Sequence, residues 1–152
     1  MRYATLFAGA CCSLLAMVAI AQEHWTEGPV WECSTYRTKP GQFDTYMKYL
    51  RENFVPTTDE AKKQGLVVDS KVFIQPPSGR NDWDVMICSL YPSFGKALDF
   101  NASDDEKAKA IEAKHYKTAD EEKQAAMSAK RLDMREYIGT SFVREVNLKP
   151  LK

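Results

Sequence analysis

The sequence has no excess of charge of either sign: 21 lysines and arginines meet 21 aspartates and glutamates across 152 residues. A general nucleic-acid binder gathers a basic excess on one face, so that class is disfavoured. Histidine is scarce. His24 and His115 stand far apart and no C-x-x-C is present, so the donor set for a metal site is missing. Neither a G-x-G-x-x-G nor a P-loop offers a cradle for a nucleotide, and no nucleophile elbow accompanies His115. Four cysteines, two of them in the first twelve residues, are too few for a disulfide-dense framework. No internal repeat is visible. No cofactor and no metal are therefore expected. Charged residues at 28% and aromatics at 11% fit one ordinary globular domain rather than a disordered chain.

The beginning of the chain reads as an address. Ala4 to Ala21 carries no charge, follows a weakly positive Met1-Arg2-Tyr3, and stops at Gln22-Glu23-His24. Ala19-Ile20-Ala21 puts small residues at −3 and −1, which predicts signal cleavage between Ala21 and Gln22. A membrane anchor would be at the short edge for spanning and too rich in Ala, Gly and Ser. A lipoprotein cysteine at Cys11 or Cys12 lacks the usual aliphatic residue at −3. The expectation is an exported protein, periplasmic or secreted, with no membrane association after removal of residues 1–21. Only Cys33 and Cys88 then remain. They either pair in the oxidising compartment or sit as two small buried side chains, and the latter is favoured because nothing in their spacing fixes their separation.

Residues 22–29 read as a flexible leader. Trp31, Cys33 and Thr35 alternate with Glu32, Ser34 and Tyr36, predicting a strand over 30–38 that Lys39-Pro40-Gly41 breaks. Phe43, Tyr46, Met47, Leu50 and Phe54 then form one helical stripe. Pro56 should kink or split this helix, Thr57 or Thr58 would cap a second piece, and Gly65 ends it. Strands are predicted over 66–75 and 83–91, joined by a Pro- and Gly-rich loop. Pro92-Ser93 opens a short helix. Ser103 with Glu106 makes a capping box before a long charge-laced helix, continuous or broken, over 104–137, with a thin stripe of Ile111, Ala125, Ala129 and Leu132. Gly139 stops it, and 141–148 is the last strand.

Two β-α-β units joined strand to strand predict an α+β fold, a ferredoxin-like βαββαβ sandwich with a four-stranded antiparallel sheet. Helices cover one sheet face. The other carries many apolar residues and would be buried by a second copy through a two-fold axis. Tyr36-Arg37-Thr38-Lys39-Pro40-Gly41-Gln42-Phe43 leading into Tyr46, then Gly65, Pro77-Ser78-Gly79 and Phe142-Val143-Arg144-Glu145, resemble the dimeric α/β-barrel superfamily, which includes stress-responsive, NIPSNAP-like and antibiotic-biosynthesis-monooxygenase-like proteins. The likeness covers most of 30–149 and implies a homodimeric barrel. The long helix near 102–130 departs from the compact pattern.

His115-Tyr116 is the one polar pair that suggests general-base chemistry, against the ordinary reading of a histidine on a polar helix. The resemblance adds that cofactor-free oxygenases and haem-degrading members use an Asn, a Trp and a His around a pocket between sheet and helices. This chain offers Asn53, Trp31 or Trp83, and His115, though not at positions that align. Arg80 and Asn81 flank Trp83. Trp31, Tyr36, Phe43, Tyr46, Tyr49 and Phe54 read first as core. If a pocket exists, the first helix and the sheet line it, and its contents are apolar with few polar anchors. His115, Trp83, Trp31, Tyr46 and Asn53 are thus the ligand-pocket candidates, and no catalytic residue is named. The first expectation is an exported homodimer that binds a small apolar ligand or assembles without catalysis. The alternative is a cofactor-free monooxygenase-like enzyme on a small aromatic or haem-like substrate, and a third reading gives Cys33 and Cys88 a redox role.

Overall fold

The first alternating run is strand for longer than its pattern indicates. In the computed structural model, which describes residues 24–79 and 82–151, β1 spans Trp25–Thr38. The signal segment, its Ala21–Gln22 junction, and Arg80 and Asn81 lie outside the described residues. The leader expectation is corrected from Trp25 onward, because Trp25 pairs with Leu148 at the far end of the last strand. Gly28 sits where that register shifts; a Cβ there would meet the Glu145 carbonyl oxygen at 2.9 Å, so backbone packs where a side chain would not fit.

The stripe from Phe43 folds as α1 (Phe43–Tyr49), a π-helical stretch (Leu50–Phe54) and α2 (Val55–Lys63). The break expected at Pro56 takes this form, with the proline in the first turn of α2 where its missing N–H costs least. Thr57 and Thr58 do not cap. Their hydroxyls donate back to the Asn53 and Phe54 carbonyls, because the chain enters α2 already helical. Gly65, at φ 71°, ends it.

β2 (Asp69–Ile74) and β3 (Val85–Tyr91) follow, then α3 (Phe94–Leu98), capped by the Ser93 hydroxyl. The long helical segment is broken, the alternative that its sequence leaves open, and it ends at Met134 rather than Tyr137. The segment divides into α4 (Ala102–Tyr116), α5 (Glu121–Ala129) and α6 (Arg131–Met134), so its thin stripe does not exist as one face: Ile111 is buried while Leu132 is 62% exposed. Asn101, not Ser103, caps α4, its side-chain oxygen accepting from the Asp104 N–H at 3.1 Å. Lys117 stops α4 in the left-handed conformation. β4 begins at Arg135 and runs to Leu148, so Gly139 lies inside a strand opposite Thr35 and stops no helix. Pairing with β1 overrides the local helical composition there.

The sheet is antiparallel throughout, in the order β2-β3-β1-β4, and is compatible with a ferredoxin-like arrangement. One face is covered by a core of Tyr46, Leu50, Val85 and Met134, with Phe43, Met47, Val72 and Ile87 packed against it. On the other, Cys33 lies directly opposite Cys88 in the β1–β3 register and the two are disulfide-bonded. The favoured reading of two separate buried thiols is thereby corrected: the register supplies the proximity that the spacing did not reveal.

Asp84 is a buried anchor between the ends of β1 and β3. Its carboxylate accepts from the Thr38 backbone N–H at 2.9 Å and from the Thr38 hydroxyl. Asp84→Ala strands both donors away from water and is expected to cost about 2 kcal/mol in a urea unfolding titration.

Candidate functional site

Between the helices and the sheet lies a cavity of about 220 Å³. The α1–π–α2 run supplies Tyr46, Tyr49, Leu50, Asn53, Phe54 and Thr57. β1 and β3 supply Tyr36 and Ile87, α4 supplies Glu112 and Tyr116, and the junction of α6 with β4 supplies Arg131 and Arg135. The π-helical stretch matters here: its wider turn lies where Leu50, Asn53 and Phe54 all reach the cavity, and such turns recur at functional sites.

Tyr46 is the centre of the wall. It is 1% exposed, stacks on Tyr49 with ring centres 6.3 Å apart, and meets Tyr36 edge-on at 6.4 Å. The Arg135 guanidinium lies over the Tyr36 ring at 3.3 Å and 5.2 Å from the Tyr46 ring centre, a pair of cation–π contacts. Those contacts leave hydrogen bonds unmade. Nε and Nη1 of Arg135 and the Tyr46 hydroxyl are buried without a partner among the described residues, and Arg135 forms no ion pair among them. Burial holds the Tyr46 hydroxyl well above the ordinary phenol range, with Arg135 pulling the other way, and the same burial pulls Arg135 below the usual guanidinium value. Tyr116 is pushed up to about 12, first by burial and then by its neighbour Tyr49.

Of the five candidates from the sequence, Tyr46 and Asn53 line this cavity. Asn53 donates to the Tyr49 carbonyl at 2.9 Å, and its oxygen lies 3.1 Å from His115 Nε2. His115 itself lies against Tyr116 and lines a different hollow with Pro56, Glu60 and Lys114. Trp31 sits on the opposite sheet face. Its indole N–H donates to Glu145 at 2.6 Å and Lys71 lies over its ring at 4.9 Å. Trp83, before β3, offers its carbonyl to Gln75 and is not part of the cavity wall. The structure therefore joins Asn53 to His115 but brings neither tryptophan to them.

Sequence reasoning missed Glu112, Arg131 and Arg135. All three lie in the charge-laced helical segment whose mixed charges read as a solvated face. Only a strand beginning at Arg135 reveals that its side chain meets Tyr36. The wall is also more polar than the apolar lining expected.

Among the described residues no cluster of three or more His, Cys, Asp or Glu could hold a metal ion, and no helix is long and apolar enough to cross a membrane. No known protein family, curated protein or solved structure matches this chain.

Proposed function

We propose that the chain is an exported binding protein, a ferredoxin-like sandwich that holds a small organic molecule in the cavity between its helices and its sheet. One observation carries the reading: two of the residues that wall this four-tyrosine cavity, Tyr46 and Arg135, have buried polar atoms without a partner among the described residues. Buried donors normally find partners, and a ligand is the partner a binding site reserves them for. Native mass spectrometry of the protein taken from its producing cells is expected to show a released small-molecule adduct, and aromatic fragments are expected to shift the NMR signals of Tyr46 and Ile87. Absence of both overturns the reading.

The Asn53–His115 hydrogen bond at the cavity wall favours a second reading, the cofactor-free oxygenase. It requires oxygen uptake with an aromatic substrate that His115→Ala abolishes. Under the binding reading His115→Ala leaves ligand affinity unchanged.

The assembly belongs to the same proposal. The sheet face away from the helices exposes Phe73 (43%) and Val143 (52%) beside Trp31 and Met86, and carries both signs of charge in Lys71 and Glu145. A surface that contains its own complement suits a second copy across a two-fold axis, the pairing that the superfamily resemblance implies. Sedimentation is expected to give a dimer that Val143→Lys converts to monomer. A monomeric parent chain at micromolar concentration removes this part of the proposal.

A further inference from the structure

We propose that the cavity's ligand is a single-ring organic anion, an aromatic carboxylate whose ring lies among the tyrosines and whose charge meets Arg135 and the Tyr46 hydroxyl. This rests on the small-molecule binding reading and names the ligand class. Three observations converge on it.

The first is charge. The cavity wall holds two cations, Arg131 and Arg135, and one carboxylate, Glu112, so it carries one positive charge in excess. Arg135 is the partly buried one and lacks an ion pair among the described residues. A cation withdrawn from water without a counter-charge costs stability, and a monoanionic ligand removes that cost.

The second is geometry. A guanidinium held 3.3 Å over the Tyr36 ring centre is a planar fork with restricted movement, and such forks suit the two oxygens of a carboxylate better than a spherical ion. The hydroxyl of Tyr46, another residue of this wall, is buried and has no partner among the described residues, which makes it a further donor.

The third is size. A cavity of about 150 Å³ lined by apolar side chains accommodates benzene. The 220 Å³ here admits one ring with a carboxylate. Four tyrosines line the cavity, and three of them, Tyr36, Tyr46 and Tyr49, are stacked or edge-on to one another, offering an aromatic ligand the contacts that an aliphatic chain cannot use.

Calorimetric titration of the protein with benzoate, its neutral isostere benzamide and inorganic phosphate tests the inference. Benzoate is expected to bind at least about tenfold more tightly than benzamide, the margin of one charge-assisted hydrogen bond. Phosphate, which has no ring, is expected to bind far more weakly. Arg135→Gln should erase the benzoate preference while leaving benzamide binding in place, and Tyr46→Phe should weaken benzoate several-fold. If Arg135→Gln fails to fold, Arg135→Lys keeps the charge but loses the flat fork, and a several-fold loss of benzoate affinity is expected from it. Benzamide binding as tightly as benzoate overturns the ligand class and leaves the cavity reading standing. Phosphate equalling benzoate overturns the ring. Binding of none of the three overturns the inference, and the adduct measurement then decides the cavity reading separately.

Discussion

Replacing Cys33 and Cys88 together by alanine is expected to lower the unfolding free energy by about 4 kcal/mol and the melting temperature by more than about 10 °C. The disulfide closes a loop with a sequence separation of 55, and a cross-link of that span removes much of the freedom of the unfolded chain. It also ties β1 to β3, the two central strands. Cys88 is 1% exposed, so part of the loss comes from packing, and reduction without mutation isolates the remainder. The measurement is a urea titration of parent, reduced parent and double variant, with thiol counting under denaturing conditions. The reduced parent is expected to approach the variant. In parent protein lacking residues 1–21, and so Cys11 and Cys12, two titratable thiols under denaturing, unreduced conditions would sink the prediction, and with it the oxidising address that those residues suggest.

Part of this architecture is legible locally. Trp31, Cys33 and Thr35 announce β1, the 43–46–47–50–54 spacing announces the helix that lines the cavity, and Pro56, Gly65 and Ser93 mark their turns by chemistry that needs no distant partner. What is not legible depends on partners far along the chain. Arg135 to Gly139 has the composition of the helix before it and becomes strand only because β1 lies alongside. Lys117 ends α4 in a left-handed conformation without a glycine to signal it. The disulfide depends on a register that no local pattern contains. The site follows the same division. Tyr46 and Asn53 stand on the legible helix, whereas Glu112, Arg131 and Arg135 come from the misread segment, which is why the cavity was expected to be apolar and proves to be charged.

Tyr46 gives the sharpest separation of volume from chemistry. Tyr46→Ala is expected to cost about 4 kcal/mol, because the ring is fully buried, packs on Tyr36 and Tyr49, and leaves a void that the helix cannot collapse into. Tyr46→Phe keeps the ring and deletes only a hydroxyl without a partner among the described residues, so it is expected to leave stability unchanged or raise it by about 1 kcal/mol. The two variants part again at high pH. Burial holds the Tyr46 hydroxyl protonated in the folded protein well beyond the value near 10 at which it ionises in the unfolded chain. Ionisation therefore favours the unfolded state. Stability is complete below about pH 10 and is lost as pH climbs toward the folded-state value. Tyr91 and Tyr116, both pushed up to about 12 by burial, act in the same direction, so the parent is expected to weaken markedly between about pH 8 and pH 11. Tyr46→Phe removes one of the three contributions, and its unfolding free energy should fall less over that interval. Urea titrations at the two pH values, with phenolate absorbance followed alongside, measure the difference. A phenylalanine variant that loses more than about 1 kcal/mol near neutral pH would mean that the hydroxyl is already satisfied in the free protein, and the donor assigned to an incoming anion would then be taken.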